Sequence, residues 1–154
     1  MKFRVTALLL LFSAHAAAAP LATYANERFG YSIKYPEHLL VPQGEATNRD
    51  GQVFEAKSGA TLRVWGQYLM GEDLPKQCDV VARAHDEAGA HVTYQVKKKS
   101  LTVASGTLKS GAIFYWKAEK AGDVCLTLQL EYPAGERATY DALVGEIAGS
   151  LQHP

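Results

Sequence analysis

The sequence has no excess of charge of either sign, with 16 Lys and Arg against 16 Asp and Glu. Without a basic field, strong binding to nucleic acid is disfavoured. The chain also lacks a phosphate-binding loop and a dinucleotide-binding glycine fingerprint. It contains no internal repeat, low-complexity segment or interdomain linker. These absences lead us to expect a single domain with no cofactor and no nucleic-acid partner.

Histidines and carboxylates that could build a catalytic or metal site do not cluster in the sequence. None of the five histidines forms a metal-binding pair at helical spacing. His85 is followed by Asp86 and Glu87 on a predicted helix, but adjacent helical residues point about 100° apart and cannot converge by themselves. We interpret His85 as a helix-surface residue. The sequence therefore predicts no metal site and no catalytic residue, and so a protein that is not an enzyme.

Residues 1–19 have the composition of a secretory signal peptide. They carry two cations, an apolar core and an alanine-rich run, in that order: Lys2 and Arg4, then Ala7 to Phe12, then Ala14 to Ala19. The apolar core is about half of the ~20 residues that a membrane-spanning helix needs, so no membrane span is expected. No cysteine lies near the cleavage region, which argues against a lipid anchor. Cleavage after Ala16, Ala18 or Ala19 would satisfy the small-residue rule. The mature chain, residues 20–154, is predicted to be periplasmic or secreted.

The stretch from Ser100 to Tyr132 predicts three successive antiparallel strands around which the rest of the chain packs. Val124 to Tyr132 alternates apolar and polar residues, whereas Ala112 to Trp116 is apolar without a break. An unbroken apolar run needs both faces covered, since either register would otherwise leave large side chains in water. The sequence therefore predicts an α+β fold, in which an antiparallel sheet has layers on both sides.

Further elements follow from the spacing of apolar residues before and after this stretch. Alternation predicts strands from Phe29 to Tyr35 and from Val92 to Val96. A short extended piece, Leu39 to Val41, ends at Pro42, and a Ser58–Gly59 turn predicts a hairpin of Gln52 to Lys57 with Ala60 to Gln67. A helical stripe runs from Leu74 to Ala88, and a second one follows Pro133, with Tyr140, Ile147 and Leu151 among its apolar residues. Because the last helix would bury five large side chains, deleting it should unfold the domain.

Four segments of the sequence resemble small exported bacterial proteins of the PsbP-like superfamily. They are RFGYSIKYP, DGQVFEAKSGATLRVWG, SLTVASGTLKSGAIFYWKA and LEYPAGERATYDALVGEIAGSL, and together they extend over nearly all of the mature chain. The resemblance implies a single α/β/α sandwich, with helices on both faces of an antiparallel sheet. It also implies a non-enzymatic binding, assembly or chaperone module. Since a fold hosts many functions, no catalytic or ligand position is carried over from it.

Cys78 and Cys125 are the only cysteines, and export would place them in a compartment where disulfides persist. We therefore predict that they are bonded to each other. Cys78 lies on the apolar stripe of the first predicted helix, so the bond would hold that helix over the Cys125–Thr127 face of the third strand. The last helix would then cover the opposite, leucine-rich face.

The candidate partner-binding residues are Arg63, Trp65 and Tyr68. Trp65 is out of register with Leu62 and Val64, and such mixed surroundings predict a partly exposed ring. Trp, Tyr and Arg are the residues that most often anchor protein interfaces. The alternative is that a helix buries Trp65, with Arg63 extending past it to water.

A second candidate surface is the run Lys97–Lys99. It could contact an anionic partner, although a charge run at the end of a strand is usually solvated.

Two functions of different classes remain open at this point. The first is a non-enzymatic binding or assembly module of the bacterial envelope, whose partner is another protein. The second is a periplasmic immunity or inhibitor protein that neutralises an exported toxin, since small disulfide-linked domains without an active site suit that task. A neighbouring toxin gene would favour the second.

Overall fold

The computed structural model describes residues 20–71 and 74–153. The predicted signal peptide, residues 1–19, lies outside the described residues. The elements in chain order are β1 (Ala22–Asn26), β2 (Tyr31–Tyr35), β3 (Val41–Glu45), β4 (Gly51–Glu55), β5 (Thr61–Tyr68), α1 (Leu74–Gln77), α2 (Val80–Asp86), β6 (His91–Lys97), β7 (Leu101–Thr107), β8 (Ile113–Ala121), β9 (Val124–Tyr132), a 3-10 turn (Ala134–Glu136) and α3 (Arg137–Gly149).

Seven strands form one antiparallel sheet in the order β3-β4-β5-β9-β8-β7-β6, and β1 pairs with β2 in a separate two-stranded sheet. The predicted run of three strands between Ser100 and Tyr132 is confirmed as β7, β8 and β9. β8 lies inside the sheet between β7 and β9, as its unbroken apolar run predicts. β9 also pairs with β5 over eight residues, which makes β9 the middle strand.

Successive residues of β8 and β9 belong to two different hydrophobic clusters. Leu126, Leu128 and Leu130 of β9 join β2, β4, β5 and α3 in the larger cluster. Cys125 of β9 joins α2 and the large aromatic rings of β8 in the smaller one. The helices divide between the two clusters in the same way: α3 packs on β2 and β9, whereas α2 packs on β6, β7 and β8. Both alternating sets of side chains in β8 are therefore buried, which explains its apolar sequence.

The first predicted helix is interrupted. α1 ends at Gln77 and α2 begins at Val80, with Cys78 and Asp79 between them. The Asp79 side chain accepts hydrogen bonds from the backbone N–H groups of Val81 and Ala82 and so starts a new helix. The apolar stripe in the sequence continues across this break and conceals it. Cys78 consequently lies in the junction between two helices, and the prediction that it lies on a helical stripe is wrong.

Two further differences concern strands near the start of the described chain. β1 was not predicted, because residues 22–26 become a strand through their pairing with β2. β3 begins at Val41, at the end of the strand predicted from Leu39 to Val41. Leu40 is fully buried just before it, whereas all five β3 residues are exposed. Pairing decides both strands, and a single short segment of sequence carries no pairing signal.

Within residues 20–71 and 74–153, no helix has the length and apolar composition needed to cross a membrane.

Candidate functional site

The two cysteines form a disulfide that fastens the helix junction to the middle of the sheet. Their Sγ atoms are 2.04 Å apart and their Cα atoms 5.7 Å apart, and Cys125 is fully buried in β9. Thr102 of β7 adds a second link, since its hydroxyl donates to the Cys78 carbonyl at 3.0 Å and accepts from the Val80 N–H at 3.2 Å. The start of α2 is thereby held against both β7 and β9.

Asp79 is the charged residue at this junction. Only 7% of it is exposed, and its carboxylate lies 2.6 Å from the ammonium group of Lys97. Burial by itself would raise the pKa of Asp79. Hydrogen bonds from Lys97 and from the amides of Ala82 and Val81, together with the charge of Lys97, outweigh burial and hold this pKa below its ordinary value. Asp79 is therefore a carboxylate that stabilises both the helix start and the end of β6.

Arg63 and Trp65 lie on the side of the sheet where α2 packs. Trp65 is half-buried, its indole N–H donates to the side-chain oxygen of Gln67 at 3.3 Å, and Gln67 in turn donates to the Gln77 carbonyl of α1. The guanidinium group of Arg83, from α2, lies 5.9 Å from the centre of the Trp65 ring. Arg63 lies beside Trp65 on this side of the sheet and pairs across the strands with Val53 of β4 and Gln129 of β9. We call this half-buried set the Trp65 face: Val53, Arg63, Trp65 and Gln129.

Tyr68 is not part of the Trp65 face. It occupies the opposite side of β5, where its ring packs 5.1 Å from that of Phe29, and 46% of it is exposed. The structure therefore brings Arg63 and Trp65 together and separates Tyr68 from both. Arg83, which reasoning from the sequence missed, takes the place beside Trp65. Only the docking of α2 on the sheet brings it there, so no local pattern could have identified it.

The second tryptophan, Trp116, is a core residue. Only 4% of it is exposed, its ring lies 4.8 Å from that of Phe114, and its indole N–H donates to the Glu131 carboxylate at 3.0 Å. Although Trp116 is on the same side of the sheet as Trp65, it lies beneath α2, whereas Trp65 lies beyond it.

His85 is exposed on α2, and its Nε2 atom lies 2.8 Å from the side-chain oxygen of Gln95 in β6. In the described part of the chain, no three His, Cys, Asp or Glu side chains come together as a metal site.

Comparison with solved structures identifies the fold. The chain superimposes on the solution structure of cyanobacterial PsbP (CyanoP) from Synechocystis sp. PCC 6803 with a TM-score of 0.61 and 12% identity, over 90% of this chain and 95% of that one. It also matches a crystal structure from Bacteroides thetaiotaomicron VPI-5482 with a TM-score of 0.52 and 12% identity, over 86% of this chain but 48%, about half, of that one. No protein-family model and no curated protein sequence matches the chain. The predicted PsbP-like resemblance is thus confirmed for the fold, which is all that such low identity establishes.

Proposed function

Because the chain has a PsbP-like fold, we propose that it is a non-enzymatic binding or assembly module of the bacterial envelope that acts by stoichiometric association with another protein. In this proposal residues 1–19 direct export and are removed. Residues 20–154 then form one α/β/α domain, with α2 and α3 on opposite faces of the sheet, in the periplasm or outside the cell. The Cys78–Cys125 disulfide supports an exported location, since such bonds persist in oxidising compartments.

The observation that carries the proposal is the cation–π contact of Arg83 with a half-buried Trp65, 5.9 Å from the guanidinium carbon to the ring centre. Trp and Arg are enriched among the few residues that dominate binding energy, and such residues cluster in well-packed parts of an interface. α2 packs on β6, β7 and β8, so the side chains of β4 and β5 on the same side of the sheet lie beyond this helix. The Trp65 face is therefore a half-buried surface beside α2, with Trp65 as its aromatic candidate for an anchor.

Arg63 belongs to this surface as the cross-strand neighbour of Val53 and Gln129. Tyr68 remains a candidate for a separate contact on the other side of β5. It lies at the end of that strand, close in the chain to Met70, which is 72% exposed.

The test is affinity purification from periplasm with wild-type protein and two aromatic variants, followed by mass spectrometry and titration of the captured partner. Trp65→Ala should weaken binding of the partner by at least ~2 kcal/mol and keep the fold. Tyr94→Ala is the matched control, because Tyr94 is 55% exposed on β6 at the far edge of the sheet and its loss should leave affinity unchanged.

A loss of stability by Trp65→Ala without a specific loss of affinity would rule out the Trp65 face and leave stoichiometric binding open. Turnover of a substrate by the purified protein, abolished by one polar substitution, would rule out the non-enzymatic class itself. Capture of an exported toxin would identify the protein as the immunity or inhibitor protein considered as the alternative.

A further inference from the structure

A cleft of about 650 Å³ opens where the β6–β7 turn, the β8–β9 hairpin and the α1–α2 junction meet. Among the described residues that line it, Asp79 is the only carboxylate. Five of these residues are lysines: Lys76, Lys97, Lys98, Lys99 and Lys120. We call it the lysine cleft. The whole chain has a formal net charge of zero, so this concentration of positive charge is local. A local field of this kind attracts an anionic partner.

The charges in the lysine cleft are not balanced within the described part of the protein. Lys97 is paired with Asp79 at 2.6 Å. Lys98, Lys99 and Lys120 are exposed, and none of them forms an ion pair with a described carboxylate. Like charges held close together destabilise one another unless an anion lies between them. The cleft therefore has at least three ammonium groups available to a negatively charged ligand.

The way in which the cleft donates hydrogen bonds indicates what kind of anion fits it. Compact anions such as phosphate are usually held by backbone N–H groups or by Arg guanidinium forks, to which Lys adds a point charge. Here the Lys98 N–H donates to the Leu101 carbonyl and the Lys120 N–H to the Ser100 carbonyl, each at 2.8 Å, so both amides are used in closing the β6–β7 turn and joining it to β8. The cationic groups of the cleft are flexible ammonium groups, and these act as separate point charges. They suit an extended ligand with several carboxylates better than one small anion.

The shape and composition of the lysine cleft separate it from other polyanion sites. A cleft is concave, and the flat surface of an anionic membrane cannot enter it. No aromatic ring lines it among the described residues, whereas sites for single-stranded nucleic acid use such rings to stack bases. An acidic peptide strand can enter a concave site and place successive carboxylates near Lys98, Lys99 and Lys120.

We propose that the lysine cleft binds an extended acidic segment of the protein partner. This inference rests on the proposed function and adds to it a second contact, distinct from the Trp65 face. Charge complementarity at such a site mainly accelerates association and selects the partner, and it weakens as salt is added.

The experiment uses the full mature protein and a fluorescein-labelled decaglutamate peptide as the probe, with binding followed by fluorescence anisotropy. The cleft variant is Lys98→Glu/Lys99→Glu/Lys120→Glu. The matched control, Lys34→Glu/Lys57→Glu/Lys109→Glu, makes the same change in net charge at exposed lysines outside the cleft. We expect the cleft variant to weaken binding at least about tenfold, and the control less than about threefold. Wild-type affinity should fall as NaCl is raised, and unchanged circular dichroism would show that both variants fold.

Equal weakening in both variants would mean a response to net charge alone and would overturn the inference. It would also fall if pyrophosphate displaced the peptide at stoichiometric concentration, since the site would then be one for a small anion. Binding of phosphatidylglycerol vesicles, lost in the cleft variant, without binding of the peptide would overturn it in favour of a membrane.

Partner capture distinguishes this inference from the proposed function. If Trp65→Ala loses the partner while the cleft variant captures it normally, the inference fails and the proposed function stands. If wild-type protein captures no partner, the proposed function fails, and the decaglutamate series alone decides whether the cleft binds acidic segments.

Discussion

Trp65 and Trp116 lie on one side of the sheet with β9 between their strands, and they differ in burial. Trp116 is enclosed beneath α2, so replacing it by Ala leaves a cavity and removes the hydrogen bond to the Glu131 carboxylate. We expect Trp116→Ala to lower the free energy of unfolding by about 3–5 kcal/mol, and Trp65→Ala to lower it by clearly less. Urea denaturation of the two variants side by side measures the difference. Equal losses would show that Trp65 is part of the core.

Asp79 should make stability depend on pH in the acid range. Its pKa is lower in the folded protein than in the unfolded chain, so the folded state binds fewer protons. The contribution of Asp79 is therefore complete above the ordinary aspartate pKa of about 3.9 and is lost as the pH falls through the folded value. Asp79→Asn keeps a helix-capping oxygen but removes the charge. In urea denaturation at a series of pH values, the advantage of wild type over this variant should shrink on acidification. An advantage that stays constant or grows would contradict the assignment.

At the residue scale, the sequence indicated which side of β5 holds Arg63 and Trp65, because alternation decides this. It grouped Tyr68 with them wrongly, since a residue three positions from Trp65 in a strand points to the other face. The sequence singled out the run Lys97–Lys99 as a possible contact for an anionic partner. Its assembly with Lys76 and Lys120 into the lysine cleft, like the position of Arg83, could not be found in the same way. Both depend on how α1 and α2 dock on the sheet, which periodicity within one segment does not encode.

The α1–α2 junction is the element that depends most on the disulfide. α2 has only seven residues, too few for stability on its own, and Cys78 precedes it by two positions. With a sequence separation of 47 residues, Cys78→Ala/Cys125→Ala should lower the free energy of unfolding by about 4 kcal/mol in the chain-entropy account. Thermal melting with and without dithiothreitol checks this. The reductant should lower the melting temperature of wild type towards that of the variant and leave the variant unchanged, and any other pattern would contradict the prediction.

α3 connects the end of the chain to the larger hydrophobic cluster. Ile147 is fully buried against that cluster, and the Ala148 carbonyl accepts a hydrogen bond from Lys117 of β8 at 2.7 Å. Ile147→Ala should lower the free energy of unfolding by about 2–5 kcal/mol, whereas the exposed neighbour Glu146→Ala should change it little. Ending the chain at Pro133 should abolish folding. Unfolding followed by circular dichroism measures the stability of the two substituted proteins and shows whether the truncated chain folds at all. A truncated chain that melts cooperatively would refute the dependence on α3.

On the scale of the whole molecule, local and long-range pairings differ in how far the sequence predicts them. The hairpins β7–β8 and β8–β9 join neighbouring segments through short turns, so alternation and turn residues were enough to predict them. The pairing of β5 with β9 joins Thr61 to Glu131 and encloses α1, α2 and three strands. No local signal specifies such a closure. The order of the seven strands, and with it the position of β9 in the middle, therefore comes from the structure.

The middle position of β9 predicts how protection from hydrogen exchange is distributed. β9 has a hydrogen-bonded strand on each side and contributes alternate side chains to both hydrophobic clusters, so its amides can open only when both clusters separate. β3 and β6 are the edges of the seven-stranded sheet, and the residues of β3 are all exposed. Opening costs less free energy where few buried contacts are broken. Native-state hydrogen exchange by NMR should show the paired amides of β9 exchanging only through global unfolding, and those of β3 and β6 exchanging faster through local fraying. Protection of β3 equal to that of β9 would mean that a partner or a second copy covers this edge, and the assignment of β3 as a free edge would then be wrong.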